Sequence, residues 1–516
     1  MKFVSASALC QHESRCIAAS PNRELEMQLI RQAGNLLASQ LMDLLREGPH
    51  SSPSTGILFF VGKGNNGADA RAAAVILHQR GIRIHILSIG LPSPSTGNAA
   101  ADLAGETDKL GIPKTCLDTP EDWQMPNPIP DANSYGIWVD ALLGTGTHGE
   151  PQGVVAAAID FMNTRSPATT LLSVDIPSGL DPENGTPSAH TVRADYTLCM
   201  AYPKSALTVP SARDVTGTVR VGRMRALESE DIPPSPFNIR FLAATEVASW
   251  MPLRPRASHK GNYGRVLLLG GCELYPGALV LAAEGATRSG AGIVRASTTP
   301  PAVSAILART PEVIARPDLY GEMDLNRVSA ILCGPGLGRD AEARRIVAHL
   351  IHETPVPLVL DADALTVLGD KTEPLRECPQ PLLLTPHAGE LAILLGCTVE
   401  GVQCDRPAAV AEAARRTGAI VILKGDATLL AREGEPIWMN LNGNPGMATG
   451  GSGDVLAGLL AGLLAQGMSP WNAARAAVYL HGAAGDLAAL RLSTPSLRTS
   501  DLITYLPAAF RTLPSP

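Results

Sequence analysis

Residues 444–458 read NPGMATGGSGDVLAG, a stretch that combines a glycine-rich loop, one carboxylate and the start of an apolar helix. Its five glycines let the backbone approach a bound polyanion, and the amides that open the following helix face negative charge. Asp454 places a base beside this loop. The pattern predicts a phosphate site with a catalytic carboxylate, although the motif taken alone also fits a glycine-rich turn before a buried helix.

The length and composition of the chain limit the architectures that it can adopt. With 516 residues it is too long for one core of ordinary size, so two or more domains are expected. Hydrophobic residues make up 45% of the chain and aromatic residues only 4%. Abundant Ala, Leu and Gly favour an α/β fold, in which apolar strands are buried under helices.

Charge and cysteine usage exclude several functional classes. The formal net charge of −7 is mild and no basic block is present, so neither a nucleic acid nor a membrane surface is an expected partner. Nine scattered cysteines without a C-x-x-C pair indicate neither a disulfide framework nor a zinc site. Residues 3–10 are too short for an export signal, and residues 455–464 are too short for a membrane span. A cytoplasmic protein acting on small molecules is expected.

Apolar strand-like runs alternate with helical stretches in two series, which is typical of parallel sheets covered by helices. The first series has runs at 57–61, 82–89, 136–139, 170–174 and 196–200, and the second at 266–269, 293–297, 330–333, 358–360, 382–384 and 420–423, followed by helices around Leu456 and Ala474.

A proline-rich, acidic segment separates the two series. We therefore predict one domain over 1–226, a linker and domain start over 227–258, and a second domain over 240–516. Ahead of the first strand, residues 24–45 predict one or two helices interrupted at Gly34.

Glycine, acidic and basic residues follow the strands of the second series, and the carboxyl ends of parallel strands form ligand crevices. The segments that follow strands are Gly334–Gly338, Asp361–Asp363, Thr385–Glu390 and Lys424–Thr428, and a further segment, His259–Gly261, leads into the first strand. With the loop at 450–453 holding a phosphate and Asp454 accepting a proton, phosphoryl transfer aided by Mg²⁺ is the indicated chemistry.

Four of these side chains also have purely structural interpretations. Asp361 and Asp363 could cap a following helix, His387 could be a hydrogen-bonded structural histidine, and Lys424 could be a solvated charge at a strand end.

The motifs GPGLG, LDADAL, TPHAGE, KGDAT and NPGMATGGSGD, preceded by HKGNYGRVLLLGG, resemble the ribokinase-like NAD(P)HX dehydratase domain over roughly residues 240–510. That resemblance implies an enzyme that uses ADP or ATP, with Mg²⁺, to dehydrate the S form of hydrated NADH or NADPH. It implies that the nucleotide's phosphate activates the hydroxyl as a leaving group, with Asp454 as the base. The implied contacts to the hydrate are Ala278, Gly338, His387 and Asp454, and those to the nucleotide are Lys424, Gly425, Asp426, Ala427, Thr428 and Gly453.

Three polar loops follow strands of the first series. Residues 62–69 read GKGNNGAD and precede a predicted helix over 70–80, a placement that suits phosphate binding. Residues 140–146 and 175–181 follow two further strands. Asn, Asp and Ser oxygens in converging loops can coordinate an alkali or alkaline-earth cation, although each loop alone also fits a turn or a cap.

With Ala201–Lys204 beyond, these loops resemble the NAD(P)HX epimerase domain over roughly residues 10–225, which interconverts the R and S hydrates. The resemblance implies K⁺ on Asn66, Asp140 and Ser178, and Asp175 as the proton-transferring group near Lys204, unless Asp175 only caps a turn. The implied contacts to the hydrate are Asn65, Asn66, Gly67, Ala68, Asp69, Gly144, Thr145, Gly146, Thr147, His148, Gly149, Glu150 and Asp175.

One departure from the family pattern concerns the first loop, where NNGGDG is usual and this chain has NNGADA. The Cβ atoms of Ala68 and Ala70 restrict positive φ and could crowd an approaching phosphate and weaken the epimerase, but the oxygen ligands are intact, so an active site is still expected.

The leading hypothesis is thus a bifunctional enzyme, with a Rossmann-like three-layer α/β domain followed by a ribokinase-like α/β domain, that repairs hydrated nicotinamide nucleotides. Assembly into a homo-oligomer is expected from the resemblance. One alternative is a ribokinase-like small-molecule kinase with an accessory domain. Another is an N-terminal half that only binds a ligand or acts as a scaffold.

Overall fold

The computed structural model describes residues 1–20, 24–47, 56–90, 99–124, 129, 132–147, 149–234, 238–319, 325 and 327–514. The chain forms two compact units, Met1–Asn238 and Ile239–Pro516. None of the helices within these described ranges combines the length and the apolar character needed to cross a bilayer.

The first unit is built around a parallel sheet of seven strands within the described residues, in the order β3-β2-β1-β4-β5-β6-β7. The strands are β1 (Gly56–Val61), β2 (Ile84–Ile89), β3 (Lys114–Leu117), β4 (Tyr135–Ala141), β5 (Thr170–Val174), β6 (Tyr196–Met200) and β7 (Thr218–Gly222). The helices are α1 (Ala6–Ala19), α2 (Glu24–Glu47), α3 (Asn65–Gln79), α4 (Ala99–Lys109), α5 (Gly153–Asn163) and α6 (Pro210–Thr216).

Strand order reverses between β1 and β4, since β1 pairs with β2 on one side and with β4 on the other. Loops after strands on the two sides of such a reversal diverge and leave a crevice at the carboxyl end of the sheet. The predicted Rossmann-like architecture is confirmed, and the three polar loops follow β1, β4 and β5, at or next to this reversal.

Gly34 does not interrupt α2, which runs unbroken from Glu24 to Glu47. A Cβ built on Gly34 would lie 2.5 Å from the Cβ of Ala72 in α3. The glycine therefore allows two helices to pack closely, and the expected interruption is wrong because this requirement outweighs the helix propensity of glycine.

The second unit contains a sheet of ten strands within the described residues, in the order β11-β10-β9-β12-β13-β14-β15-β16-β17-β8. Its strands are β8 (Ile239–Phe241), β9 (Arg265–Leu269), β10 (Ile293–Ser297), β11 (Ile314–Arg316), β12 (Ala330–Cys333), β13 (Leu358–Leu360), β14 (Leu382–Leu384), β15 (Ile420–Leu423), β16 (Thr428–Ala431) and β17 (Ile437–Asn440). The helices are α7 (Ala244–Trp250), α8 (Pro276–Arg288), α9 (Pro300–Arg309), α10 (Ala341–Glu353), α11 (Asp363–Leu368), α12 (Ala388–Leu395), α13 (Val399–Cys404), α14 (Arg406–Thr417), α15 (Ser452–Ala465), α16 (Pro470–Leu492) and α17 (Thr499–Arg511).

Strands β9 to β15 are parallel, whereas β16 pairs antiparallel with β15 and β17. The strand that opens the unit, β8, returns to the far edge and pairs in parallel with β17. All residues of α15 from Val455 to Ala465 are buried, which explains why that helix is apolar on every face. The helix that follows the glycine-rich loop therefore lies inside the domain core.

Candidate active sites

Four loops at the carboxyl ends of neighbouring parallel strands and the first turn of α15 form the candidate site of the second unit. The loops follow β12 to β15 and contain the segments 334–339, 361–363, 385–390 and 424–428. Their contacts, described below, connect the acidic and basic residues that the sequence singles out.

Asp454 lies in the first turn of α15, three residues after Gly451, which precedes the helix in a left-handed conformation with φ of 90°. Burial, together with the negative charge of Asp361, raises the pKa of Asp454 to about 7. A carboxylate that titrates near neutrality can accept a proton and release it again. The predicted base therefore has the electrostatic environment that proton transfer requires.

Lys424 is the cation of this site, with a side chain only 17% exposed. Its Nζ donates to Oδ1 of Asp361 at 2.7 Å and lies 3.8 Å from Oε2 of Glu390. A Cβ built on Gly453 would lie 3.1 Å from the same Nζ, so the ammonium group reaches the glycine-rich loop. Lys424 is thus an anchored charge between two loops and not a solvated one.

Neither Asp361 nor Asp363 caps the helix that follows, because their side chains bind other loops. The carboxylate of Asp363 accepts from the backbone N of Gly338 at 3.0 Å and from Nε of Arg339 at 2.8 Å. Oδ2 of Asp361 is buried and has no hydrogen-bond partner among the described residues. This oxygen can bind a donor that a ligand brings.

His387 has the structural role that its alternative interpretation foresaw. Its Nδ1 accepts from the backbone N of Gly389 at 3.0 Å and from that of Glu390 at 3.2 Å, which caps α12. Glu390 accepts from the backbone N of His387 at 2.8 Å and lies 3.3 Å from its Nε2. Since Nδ1 accepts, Nε2 carries the proton and faces Glu390.

Burial and neighbouring charges also shift the pKa values of His387 and Glu390, the two residues of this helix cap. Burial and the positive charge of Lys424 lower the pKa of His387. Burial raises the pKa of Glu390 to about 7 against the opposing charge of Lys424. The imidazole of His387 remains 60% exposed, so it is accessible to a ligand while it caps the helix.

The other residues predicted for the nucleotide and hydrate line the same loops. Ala278 in α8 lies beside the 334–338 loop, since its Cβ is 3.2 Å from a Cβ built on Gly336. Thr428 donates to the carbonyl of Gly425 at 3.0 Å and closes the turn that contains Asp426 and Ala427. Thr428 also begins β16, so this predicted binding segment ends in a strand.

Sequence reasoning missed two further side chains near this site. Arg406, at the start of α14, lies against the nucleotide loop, with Nη1 3.0 Å from a Cβ built on Gly425. His481 is buried in α16, and its Nε2 lies 3.3 Å from Oγ of Ser452. Burial lowers the pKa of His481 to about 4, so the ring is neutral. No motif marks either residue, because each lies in an ordinary helical sequence.

In the first unit, a cavity of about 640 Å³ opens at the carboxyl end of the sheet. Its polar lining comes from α1, α2, the start of α3 and the loops after β1, β4, β5 and β6, and includes Glu13, Glu26, Lys63, Asn65, Asn66, Asp69, Thr145, Thr147, Asp175 and Lys204.

Asp175 binds the fully buried Lys204 in this cavity. Its Oδ1 accepts from Nζ of Lys204 and, at 3.0 Å, from the backbone N of Met200. Lys204 also donates to the carbonyl of Met200 at 3.0 Å. Asp175 has a left-handed backbone with φ of 70°, which is rare for a residue with a Cβ. The described contacts join Asp175 to the end of β6 and not to the turn that follows it.

Three other carboxyl groups, those of Glu13, Glu26 and Asp69, share the cavity with Asp175. Burial and the negative charge of Asp175 raise the pKa of Asp69 well above its usual range. The same two effects raise the pKa of Glu13. A group of acids is therefore concentrated at one end of the sheet.

Asn66, Asp140 and Ser178 are brought together beside the cavity. The Oγ of Ser178 donates to Oδ1 of Asp140 at 2.6 Å, and the backbone N of Leu143 donates to Oγ of Ser178 at 3.0 Å. The Nδ2 of Asn66 donates to the carbonyl of Leu143 at 2.8 Å and to that of Val174 at 3.1 Å. Its Oδ1 is buried without a hydrogen-bond partner among the described residues. This unsatisfied amide oxygen, on a side chain that also binds two backbone carbonyls, fits a monovalent cation such as K⁺.

The residues predicted to contact the hydrate divide into four groups, of which Gly67 and Ala68 form the last. Asn65, Asn66, Asp69, Asp175 and the segment 144–147 line the cavity. Gly149 and Glu150 line a second cavity of about 250 Å³ that shares Leu143, Gly144 and Thr147 with the first. His148 lies outside the described residues.

Gly67 and Ala68 are buried in α3 and are not among the described residues that line either cavity. A Cβ on Gly67 would lie 2.2 Å from the carbonyl oxygen of Gly62, so this glycine allows the helix to approach the preceding loop. Ala68 packs against Ile30, Ala72 and Leu103. Ala70 is also fully buried. The expected crowding by Ala68 and Ala70 is wrong, because α3 begins at Asn65 and directs both methyl groups into the core.

Comparison with known proteins associates both units with families. A family model described as NAD(P)H-hydrate dehydratase matches residues 266–508, and a model described as YjeF-related protein N-terminus matches residues 26–206. The bifunctional NAD(P)H-hydrate repair enzyme of Moorella thermoacetica is 38% identical over 472 residues, which cover 89% of this chain and 88% of that protein. The enzyme of the same name from Escherichia coli is 32% identical over 452 residues, covering 87% and 84%.

Among solved structures, an ADP/ATP-dependent NAD(P)H-hydrate dehydratase from Bacillus subtilis, co-crystallized with ATP/Mg²⁺, has a TM-score of 0.51. It is 34% identical to this chain and covers 54% of it, with 99% of its own length matched.

Proposed function

Because the chain belongs to the family of bifunctional NAD(P)H-hydrate repair enzymes, we propose how the residues of its two sites carry out the two reactions of that family. The protein is an NAD(P)H-hydrate epimerase in its first unit and an ADP/ATP-dependent NAD(P)H-hydrate dehydratase in its second.

The chemistry of the substrate determines what each site must do. The dihydronicotinamide ring contains an enamine, so water adds to it with the hydroxyl on the carbon next to the ring nitrogen. That carbon becomes a stereocentre with R and S forms. Removing the hydroxyl from the S form needs a better leaving group than hydroxide, and a phosphate supplies one.

In the dehydratase site, the nucleotide binds to the loop of Lys424–Thr428 with its terminal phosphate at the start of α15. The backbone amides of Gly450–Gly453 and the helix N-terminus stabilise that phosphate, and Mg²⁺ bound with the nucleotide would neutralise its charge. Lys424 belongs to the nucleotide loop and Arg406 lies beside it, so both place positive charge there. The phosphate is transferred to the hydroxyl of the hydrate; the carbon–oxygen bond then breaks as phosphate departs, and loss of a proton from the adjacent ring carbon restores the ring double bond.

Asp454 accepts the proton of the hydroxyl as the phosphate is transferred. The observation that carries this assignment is the position of the carboxylate in the first turn of α15, with a pKa raised to about 7 beside Lys424. Asp363, through its bonds to Gly338 and Arg339, holds the loop that contacts the hydrate. Ala278 lies beside that loop and, with His387, completes the hydrate site.

In the epimerase site, the hydrate occupies the cavity beside Asp175, which exchanges a proton with the substrate. Asn66, Asp140 and Ser178, with the carbonyl of Leu143, would hold K⁺, which supplies a fixed positive charge beside the substrate's phosphates. Lys204 keeps the Asp175 carboxylate in place.

The test is a repair assay on separated R and S hydrates, in which the recovery of dihydronicotinamide absorbance is followed with ADP or ATP. The wild-type protein should restore absorbance from S hydrate directly and from R hydrate after epimerisation. Asp454→Asn should bind nucleotide but lose about 10²- to 10⁴-fold in dehydration rate. Asp370→Asn, an exposed change in the same unit, is the matched control.

Two outcomes would contradict the proposal. Nucleotide turnover on another alcohol without recovery of absorbance would indicate a small-molecule kinase. If Asp175→Ala consumes R hydrate at an unchanged rate, Asp175 does not take part in epimerisation. The first unit would then be a binding module or would use another residue for proton transfer.

A further inference from the structure

The acidic side chains around the epimerase cavity are not equivalent. Glu13 extends from α1, Glu26 from α2, Asp69 from α3 and Asp175 from the end of β5. Lys63 and Lys204 are the lysines among the described residues that line the cavity. Lys204 binds Asp175, whereas Lys63 is exposed and its Cε lies beside Gly90. The fully buried Lys204 is therefore ion-paired with Asp175.

The ion pair distinguishes Asp175 from Asp69 within one cavity. Asp175 is bound by Lys204. Asp69 lines the same cavity from α3, and burial and the charges of Asp175 and Glu13 raise its pKa well above the usual range. An ion-paired acid and an acid that favours its protonated form thus face the same space, which is the pattern by which carboxyl pairs divide acid and base roles.

Epimerisation of the hydrate has a chemical requirement for such a pair. The ring nitrogen can expel the hydroxyl from the neighbouring carbon only if that oxygen receives a proton, so that it departs as water. The carbon–oxygen bond breaks, the nitrogen lone pair forms a carbon–nitrogen double bond, and a planar cation results. Water then adds to the opposite face and must lose one proton.

We propose that Asp69 donates the proton to the departing hydroxyl and that Asp175 accepts the proton of the incoming water. This assignment rests on the proposed epimerase function of the first unit. The bond broken and the bond remade are both carbon–oxygen bonds, and no oxidant or reductant is needed. The proton on Asp175 returns to Asp69 through solvent before the next turnover, so the enzyme ends unchanged.

The direct test is epimerisation of R hydrate by the full-length protein in ¹⁸O-labelled water, without ADP or ATP so that dehydration does not intervene. Each epimerised molecule should acquire one solvent oxygen at the rate of epimerisation, above the rate in an enzyme-free control. Enzymatic epimerisation without incorporation of label would overturn the proposed bond cleavage while the epimerase function stands. Absence of epimerisation by the wild-type protein would contradict the function itself.

Variants identify the donor. Asp69→Asn should lower kcat for epimerisation by about 10²- to 10⁴-fold, the usual size of general-acid contributions, with little change in KM. Asp69→Glu should recover part of the rate. The alkaline limb of its pH–rate profile for epimerisation should move relative to that of the wild type. A near-normal kcat in Asp69→Asn would overturn the assignment.

Glu13→Gln separates the donor from a neighbour with the same charge. It should change kcat by less than about tenfold, since its side chain influences Asp69 only through its field. A loss equal to that of Asp69→Asn would also overturn the assignment. Dehydration of S hydrate by each variant should match the wild type, because Asp69 and Glu13 lie in the other unit.

Discussion

The fully buried ammonium group of Lys204 is held by the carboxylate of Asp175, so the proposed base of the epimerase is also half of a buried ion pair. Lys204→Met should destabilise the first unit by about 3 to 5 kcal/mol, because Asp175 would be left buried without its partner. Urea unfolding of the full chain measures this change.

The control for this prediction is Lys114→Met. Lys114 lies 2.6 Å from Asp108, but both side chains of that pair are exposed by 43% or more. Its removal should cost less than about 1 kcal/mol. Equal losses from the two substitutions would show that burial does not strengthen the Lys204–Asp175 pair.

The rate of dehydration should depend on pH through Asp454. The base must be ionised, and its pKa is raised to about 7, so kcat/KM for S hydrate should fall as pH decreases through that value and level off above it. Glu390→Gln removes one negative neighbour, which should lower the pKa of Asp454 and move the acid limb to lower pH. Initial rates at saturating ADP give both profiles.

Because the pKa of Glu390 is also raised to about 7, the same substitution distinguishes the two acids. If the acid limb disappears in Glu390→Gln while the rate stays high, Glu390 and not Asp454 is the titrating group.

Removal of K⁺ should affect one activity only. Replacing K⁺ with choline should slow epimerisation by about tenfold or more and leave the dehydration of S hydrate unchanged. Because a ligand that binds only the folded state stabilises it, K⁺ should also raise the melting temperature of the first unit.

The unsatisfied Oδ1 of Asn66 provides the matched variant. Asn66→Ala should abolish both the activation and the thermal shift by K⁺. A thermal shift that persists in this variant would place the cation elsewhere.

Gly34→Ala should destabilise the first unit by about 1 to 3 kcal/mol, since its Cβ would lie 2.5 Å from that of Ala72 and the two helices must move apart. Gly105→Ala is the control, because Gly105 lies in α4 and a Cβ there has no neighbour within 4 Å. Gly105→Ala should stabilise the protein by up to about 1 kcal/mol through helix propensity. Opposite signs in thermal melts would confirm that packing, not propensity, determines the choice of glycine at 34.

The buried parallel strands could be predicted from sequence, whereas the edge strands and the antiparallel strands β16 and β17 were not predicted. Thr170–Val174 and Ala330–Cys333 are confirmed to the residue, because a strand covered on both faces reads as an uninterrupted apolar run. Lys114–Leu117 and Ile314–Arg316 lie at sheet edges with exposed residues, so they lack that run. The sequence predicted helix α3 from residue 70, whereas the helix begins at Asn65. The first turn therefore includes Gly67, a residue that is unfavourable in a helix but that allows the backbone to approach Gly62 closely.

For the sites, the sequence predicted which loops meet, because the carboxyl ends of parallel strands share one edge. It did not predict which side chains pair. The bond from Lys424 to Asp361 depends on the relative height of neighbouring loops. His481 contacts Ser452 from a helix that carries no motif.

The edge strand β8 sets the minimum length of the dehydratase as an independent module. Ile239–Phe241 pairs with β17, and Trp250 in α7 lies 6.2 Å from Trp438 between ring centroids. A shortened chain that begins at the first motif, His259, would lose both and expose the backbone groups of β17. Such an open strand is a template for pairing with another chain, so we expect this fragment to aggregate. A fragment that begins ahead of Ile239 keeps β8 paired with β17. We therefore expect that a chain split into its two activities would be divided just before Ile239.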